Sequence, residues 1–292
     1  MSNYNFKQSS KTRTFNFFRR VITIPIFEKM FVGTVLKSSS SFLKKMIPPD
    51  YLYARNSIRE VTRGGIHFKL DISNVVDHCL YYGITDQPYG SILSEIKNAT
   101  TILDIGANIG STALFFASIN SKARILAFEP HPDTFKRAQE NLSRNQFKNI
   151  EFINLGLGES KATLKLYEVN EHNPGMNRIL AKDKDLPFKS IHVEVLDKVM
   201  EERKVEKVDF IKLDVEGYEY SVLKGGAHIL SSKPILFIEL DDSNLRENNT
   251  SAKALIELLF SYGYRNFTRA DNFEAITTET DFSNCHFDII VK

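Results

Sequence analysis

Five carboxylates in this chain stand at or just beyond the ends of apolar runs, and a glycine-bearing turn lies beside the first of them. Asp104 sits in Thr101-Ile102-Leu103-Asp104-Ile105, and Glu129 follows Arg124 to Phe128. Asp214 closes Val208 to Leu213 with Glu216 two residues on, and Glu239 lies in Pro234 to Leu240. The first run breaks into Gly106-Ala107-Asn108-Ile109-Gly110, where glycine lets the backbone approach a ligand and the next helix offers unpaired N–H groups. Ligands of open α/β sheets gather beyond the carboxyl ends of the strands. A carboxylate placed there can accept the hydroxyls of a ribose, take a proton from a reacting hydroxyl, or join a second carboxylate in holding a hard cation such as Mg2+. The ligand-binding candidates are therefore Asp104, Gly106, Asn108, Gly110, Glu129, Pro130 and Asp214. The candidates for the chemistry are Asp214, Glu216 and Glu239, with Asp214 and Glu216 as the metal ligands if a divalent ion is used.

Alternating strand and helix patterns supply the elements that such residues need. The strand at Thr101 leads into a helix from Gly110 to Ala117, Arg124 to Phe128 leads into a helix over Asp133 to Arg144, and a third strand covers Ile150 to Asn154. A hairpin or excursion over Ala162 to Val169, a polar loop around His172 and a strand over Ser190 to Val195 come next. Two further strands end at Asp214 and Leu240, and Leu255 to Tyr262 marks a helix. Tyr264 to Phe267 and His286 to Val291 are too close in sequence for a helical crossover, so the closing pair is expected to be antiparallel. The long loop around His172 is a candidate lid.

The spacing of the glycine turn narrows the cofactor. A dinucleotide fingerprint requires G-x-G-x-x-G, whereas here Ala107-Asn108 stands where a second glycine would lie, which speaks against an NAD(P)-dependent oxidoreductase. S-adenosylmethionine carries no phosphate and suits a turn with fewer glycines and neighbouring acids. Glu129, 25 residues after Asp104, is placed for its ribose.

Asp104-Ile-Gly-Ala-Asn-Ile-Gly110, Phe128-Glu129-Pro130 and Lys212-Leu-Asp-Val-Glu-Gly-Tyr-Glu219 with Val222-Leu-Lys-Gly225 together resemble the FkbM family of S-adenosylmethionine-dependent methyltransferases. Leu196-Asp197 fits the family as well, and the likeness runs from about Asp71 to Leu240. The resemblance implies a class I methyltransferase fold, Rossmann-like, with a seven-stranded, mostly parallel sheet and an antiparallel last strand. It also implies O-methylation of a hydroxyl on a sugar, glycan, glycolipid or related metabolite. The family often carries a histidine near the end of the fifth strand, where this chain has Glu239-Leu240-Asp241-Asp242. A cofactor-binding or membrane-associated partner that has lost catalysis is the alternative from another class.

At 292 residues with 42% hydrophobic and 25% charged content, the chain can bury a large core, and a net charge of +2 carries no polyanion signal, so no nucleic-acid partner is expected. Cys79 and Cys285 form neither a metal motif nor a disulfide framework and point to a reducing compartment, the cytoplasm. The first 47 residues differ from the rest. Nine Lys and Arg residues face a single acid, Glu28, with seven phenylalanines interleaved, and Pro48-Pro49 closes the segment. Its apolar runs fall short of the roughly 18 residues a membrane span requires. Such a segment either packs as a helical cap or lies on an anionic membrane surface at the inner face of the membrane. A hairpin over Ile58 to Ile72 turns at Gly64-Gly65, and Tyr82 and Tyr89 are candidates for a substrate mouth. The expected division is an N-terminal cap over 1–90 and a methyltransferase domain over 91–292.

Overall fold

The computed structural model describes residues 10–38, 40–84, 88–170, 176–179, 185–277 and 279–292. The expected lid lies outside them apart from residues 176–179. Two compact units are present, one up to residue 84 and one from residue 88 on.

The first unit holds helices α1 (Ser10–Ile22), α2 (Pro25–Val35) and α3 (Ser41–Met46), the hairpin β1 (Ile58–Arg63) and β2 (Ile66–Asp71), and α4 (Val75–Tyr82). Gly64 and Gly65 turn the hairpin with φ of 56° and 81°, values that favour glycine. The alternation along β2 buries Ile66, Phe68 and Leu70. Tyr82 is also buried, with its hydroxyl 2.5 Å from that of Tyr53, so it packs inside this unit. Tyr81 and Tyr82 end a helix at the left-handed Gly83.

In the second unit α5 (Leu93–Asn98) precedes β3 (Thr101–Ile105), α6 (Ser111–Ile119), β4 (Arg124–Phe128), α7 (Pro132–Ser143) and β5 (Ile150–Ile153). Three short strands come next, β6 (Gly156–Gly158), β7 (Ala162–Tyr167) and β8 (Phe188–Val195). The chain then forms α8 (Leu196–Glu202), β9 (Phe210–Leu213), α9 (Glu219–Lys224), α10 (Ala227–Ser231), β10 (Ile235–Asp241), α11 (Asp242–Glu247), α12 (Ala252–Ser261), β11 (Phe267–Arg269) and β12 (His286–Val291). Seven strands make the main sheet in the order β11-β12-β10-β9-β3-β4-β5. All neighbours are parallel except β12, which runs antiparallel to both β10 and β11. β6, β8 and β7 form a separate sheet in which β7 and β8 pair antiparallel.

Strand parity explains why both faces of the main sheet are covered. Leu103, Ile105, Leu126, Phe128, Ile211 and Leu213 belong to one apolar layer, while Ile102, Ile125, Ala127, Phe210 and Phe237 belong to the other. Strand order reverses between β3 and β9, because the chain leaves β3 toward β4 and returns later to β9 on the opposite side. A crevice beyond the carboxyl ends of these two strands is the topological switch point of an open sheet.

Candidate functional site

Backbone geometry at the end of β3 depends on glycine. Gly106 has a φ of 85°, and a Cβ there would stand 1.7 Å from the carbonyl oxygen of Asp214, so only a bare α-carbon allows the turns after β3 and β9 to meet. Gly110 has a φ of 82°, and a Cβ there would meet the ring of Phe152 at 2.5 Å. Between them, Asn108 is left-handed with a φ of 49°. The turn is held from β4: the amides of Gly106 and Ala107 both donate to the Phe128 carbonyl, at 3.0 and 2.9 Å.

Glu129 comes directly after β4 and is nearly buried. Its two oxygens accept from the amides of Asn108 and His131, each at 2.9 Å, so this side chain ties the glycine turn to the start of α7. Burial outweighs those hydrogen bonds and pushes its pKa up to about 7. His131 is spent structurally, its ring capping α7 at Thr134 and standing 3.2 Å from Glu168.

Beneath the turn lies a charged group in an otherwise apolar layer. Asp104 and Lys212 are register partners on β3 and β9, flanked by Ala127 on β4 and Phe237 on β10. Lys212 donates to the Gly106 carbonyl at 2.9 Å, pairs with Asp214 at 3.0 Å, and stands 3.7 Å from Asp104. Burial would lower the ammonium's pKa, but Asp214 and Asp104 more than reverse this and raise it. Asp104 is 0% exposed and neither carboxylate oxygen has a hydrogen bond of ordinary length and angle. Burial pushes its pKa up to about 6 against the pull of Lys212. Tyr89, whose hydroxyl lies 3.0 Å from Thr112 and whose ring stacks on Phe115, belongs to this same layer and is buried.

Three further carboxylates meet at the ends of β9 and β10. One oxygen from each of Asp214, Glu216 and Glu239 lies within 4.8 Å of the others. The loop that carries two of them is braced by Glu219, buried, which accepts from the amides of Val215 and Gly217 at 3.0 and 3.1 Å. Glu216 sits at a φ of 54° and accepts from the Asn244 amide group at 2.9 Å. Burial first, and then the Asp214 charge, push the Glu216 pKa up to about 8. The same two causes, with Glu216 added, drive Glu239 well above the ordinary carboxylate range. All three donors are hard oxygens, and a divalent cation such as Mg2+ matches both the donor set and the repulsion among them.

The expected residues thus fall into two adjoining groups: Asp104, Gly106, Asn108, Gly110, Glu129 and Pro130 at β3 and β4, and Asp214, Glu216 and Glu239 at β9 and β10. Long-range pairing adds residues that the sequence reading missed. Arg178 pairs its backbone with Tyr167, which sets its guanidinium 4.0 Å from Glu216 and 3.2 Å from Glu247. His286 lies opposite Asp241 in the β10–β12 register, with Nδ1 2.7 Å from that carboxylate and Nε2 3.9 Å from Glu239. Asp288, the partner of Glu239 on β12, is pushed up to about 6, mainly by burial. Lys212, also not expected in the site, did leave a signal: a lysine inside a central apolar strand must find buried counter-charges.

Comparison with known proteins adds to this geometry. The profile of the family described as Methyltransferase FkbM domain matches residues 104–266. Hexuronic acid methyltransferase AglP of Haloferax volcanii is 31% identical over 149 residues, which cover 51% of this chain and 59% of that protein. The 2-O-methyltransferase NoeI of Sinorhizobium fredii is 26% identical over 180 residues, covering 57% of this chain and 73% of that protein. Among solved structures, M. jannaschii TYW2 in complex with AdoMet aligns with 82% of this chain and 86% of its own, at 13% identity and a TM-score of 0.42.

Proposed function

This chain belongs to the FkbM methyltransferase family, and from that premise we propose that it moves a methyl group from S-adenosylmethionine to a hydroxyl of a sugar, glycan, glycolipid or related metabolite. The observation that carries the reading is the adjacency of a glycine turn, packed against the Asp214 carbonyl and the Phe152 ring, to a cluster of three carboxylates. The name of one relative, a hexuronic acid methyltransferase, favours a sugar acceptor, and that of the other, a 2-O-methyltransferase, favours transfer to oxygen. A nicotinamide oxidoreductase finds no support in the family match.

S-adenosylmethionine supplies an electrophilic methyl group on a sulfonium. The protein's part is to admit, orient and deprotonate. Gly106 and Gly110 let the turn after β3 pack against the Asp214 carbonyl and the Phe152 ring, and Glu129 has lone pairs left for the ribose hydroxyls after serving two amides. Lys212, anchored on Asp104, holds the Gly106 carbonyl and Asp214 in one place, which fixes the cradle relative to the carboxylates. Asp214, Glu216 and Glu239 would hydrogen-bond a polyhydroxyl acceptor, and one of them, in its ionised form, would take the proton released as the hydroxyl receives the methyl group. Orientation of this kind contributes about 7–11 kcal/mol, and a placed base adds roughly 10²–10⁴-fold.

A second reading places a divalent ion among the same three carboxylates, where it would acidify the acceptor hydroxyl. It is favoured by the raised proton affinity of Glu216 and Glu239, since a cation would displace those protons.

Calorimetric titration with S-adenosylhomocysteine tests the cofactor. Binding is expected, and Glu129→Gln should weaken it by about ten- to a hundredfold, the equivalent of one charged hydrogen bond. Radiolabelled transfer to sugar acceptors tests the rest. Asp214→Asn and Glu216→Gln should retain S-adenosylhomocysteine binding while turnover falls by roughly 10²–10⁴-fold in at least one of them. Full turnover in both would remove the carboxylates from the chemistry, and loss on chelation with recovery in Mg2+ would select the second reading.

A further inference from the structure

Helices α1 and α2 expose the wrong face for a segment that only packs inward. Phe17, Phe18 and Val21 on α1 are 70%, 56% and 49% exposed, and Ile26, Phe27 and Met30 on α2 are 67%, 49% and 69% exposed. Each triplet has the spacing i, i+1, i+4, which at 3.6 residues per turn is one continuous stripe. The buried residues lie on the opposite side of each helix. On α1, Asn16 turns inward to the Tyr51 hydroxyl at 3.2 Å. On α2, Glu28, Val32 and Val35 are buried. Ile24 and Leu36 beside the ends of α2, and Phe42 on α3, extend the exposed apolar surface.

Charge on this segment is sorted as well. Glu28, the single acid of the first 47 residues, is 1% exposed and fully engaged, with Arg59 on both oxygens at 2.6 and 3.0 Å and the Tyr81 hydroxyl at 2.8 Å. Arg13, Arg20, Lys29, Lys37, Lys44 and Lys45 are all exposed. A phenylalanine-bearing apolar stripe with only cations beside it is the chemistry of a helix lying in a lipid headgroup layer, where apolar side chains enter the acyl boundary and lysines meet anionic headgroups. Among the described residues no helix is long and apolar enough to cross a membrane.

We propose that α1 to α3 form a docking surface for an anionic lipid bilayer, on which this unit lies flat. The inference is independent of the methyl-transfer reading. Its carrying observation is the joint sorting of apolar groups and cations outward and of the only acid inward.

Sedimentation of the full chain with lipid vesicles tests it. The chain should partition onto vesicles of phosphatidylcholine with phosphatidylglycerol and stay in solution with phosphatidylcholine alone, and added salt should release it. Replacing the stripe in a Phe17→Ser, Phe18→Ser, Ile26→Ser, Met30→Ser variant should reduce partitioning by at least about tenfold. An Arg20→Glu, Lys29→Glu, Lys44→Glu variant, which alters no apolar packing, should do the same. Each variant should keep the wild-type far-ultraviolet circular dichroism. The proposal fails if wild type ignores both vesicle types, or if both variants partition as wild type does. It fails equally if light scattering finds a dimer that the stripe variant dissolves while no form binds vesicles, which would make the stripe a contact between copies of the chain.

Discussion

Lys212 concentrates the energetics of the site in one side chain. Its ammonium is 5% exposed as a residue and meets a carbonyl and two carboxylates, so removing it leaves Asp104 buried without a counter-charge. Losing one partner of a buried charged group typically costs about 3–5 kcal/mol, much more than a surface ion pair contributes. Lys212→Met, close in length and unable to carry charge, should therefore lower stability by about that amount in urea titrations. The effect should shrink when Asp104→Asn is added, because the amide no longer needs a cation. Additive losses in the double variant would mean that Asp104 and Lys212 act separately. Glu219 works by the same economy of position: it makes no ion pair among the described contacts but holds two backbone amides, and so sets where Asp214 and Glu216 stand.

At the scale of elements, the sequence reads well where hydrophobic period and turn chemistry agree. β3, β4, β5, β9, β10 and β12 all lie within a residue or two of their apolar runs. Gly106 and Gly110 stand where the turn demanded them, and the closing strands are antiparallel as their short separation implied. Local pattern weakens where pairing partners are distant. β7 finds β8 across more than twenty residues, with Tyr167 opposite Phe188, and nothing near either strand specifies that register. β11 spans only Phe267–Arg269, later than the apolar signal at Tyr264, because Tyr264 buries its ring and donates to the Pro234 carbonyl at 2.8 Å in place of joining the ladder. The site divides along the same line. Residues borne on the glycine turn and the strand ends were legible, since each sits at a break in a period. Arg178, Asn244 and His286 were not, because a bridge at Tyr167, a helix after β10 and an antiparallel last strand bring them to the carboxylates, and none of these leaves a mark beside the residue it delivers.

Over the whole molecule the charges are unevenly placed although they nearly cancel. The first 47 residues carry nine cations, while Asp104, Glu129, Glu216, Glu219, Glu239 and Asp288 collect at the carboxyl end of the main sheet with raised proton affinities. Linkage sets the sign of the resulting pH dependence. A carboxyl whose folded pKa lies above its unfolded one binds more protons folded than unfolded between the two values, so stability falls as pH rises through that interval. For Glu129 and Glu219 the interval closes near about 7 and for Glu216 near about 8, while Glu239 extends it higher. Asp209, lowered by its Thr100 and Lys207 partners against the effect of burial, works in the opposite sense, but only at acid pH where it protonates. Melting temperature should accordingly decline from pH 6 to pH 9. One unit of pKa elevation is worth about 1.4 kcal/mol, or roughly 3–6 °C for a domain of about 200 residues. Glu216→Gln should flatten the decline, since the amide has no proton to lose and keeps its shape beside Asn244. On the divalent-ion reading, a cation seated among Asp214, Glu216 and Glu239 would do so without mutation, so that Mg2+ added at pH 9 would raise the melting temperature of the wild type and leave that of Glu216→Gln nearly unchanged, whereas the metal-free reading expects no shift in either. A melting temperature that is level or rising from pH 6 to pH 9 would show that these carboxyls are ionised in the folded chain at neutral pH, and that their mutual repulsion is relieved by solvent.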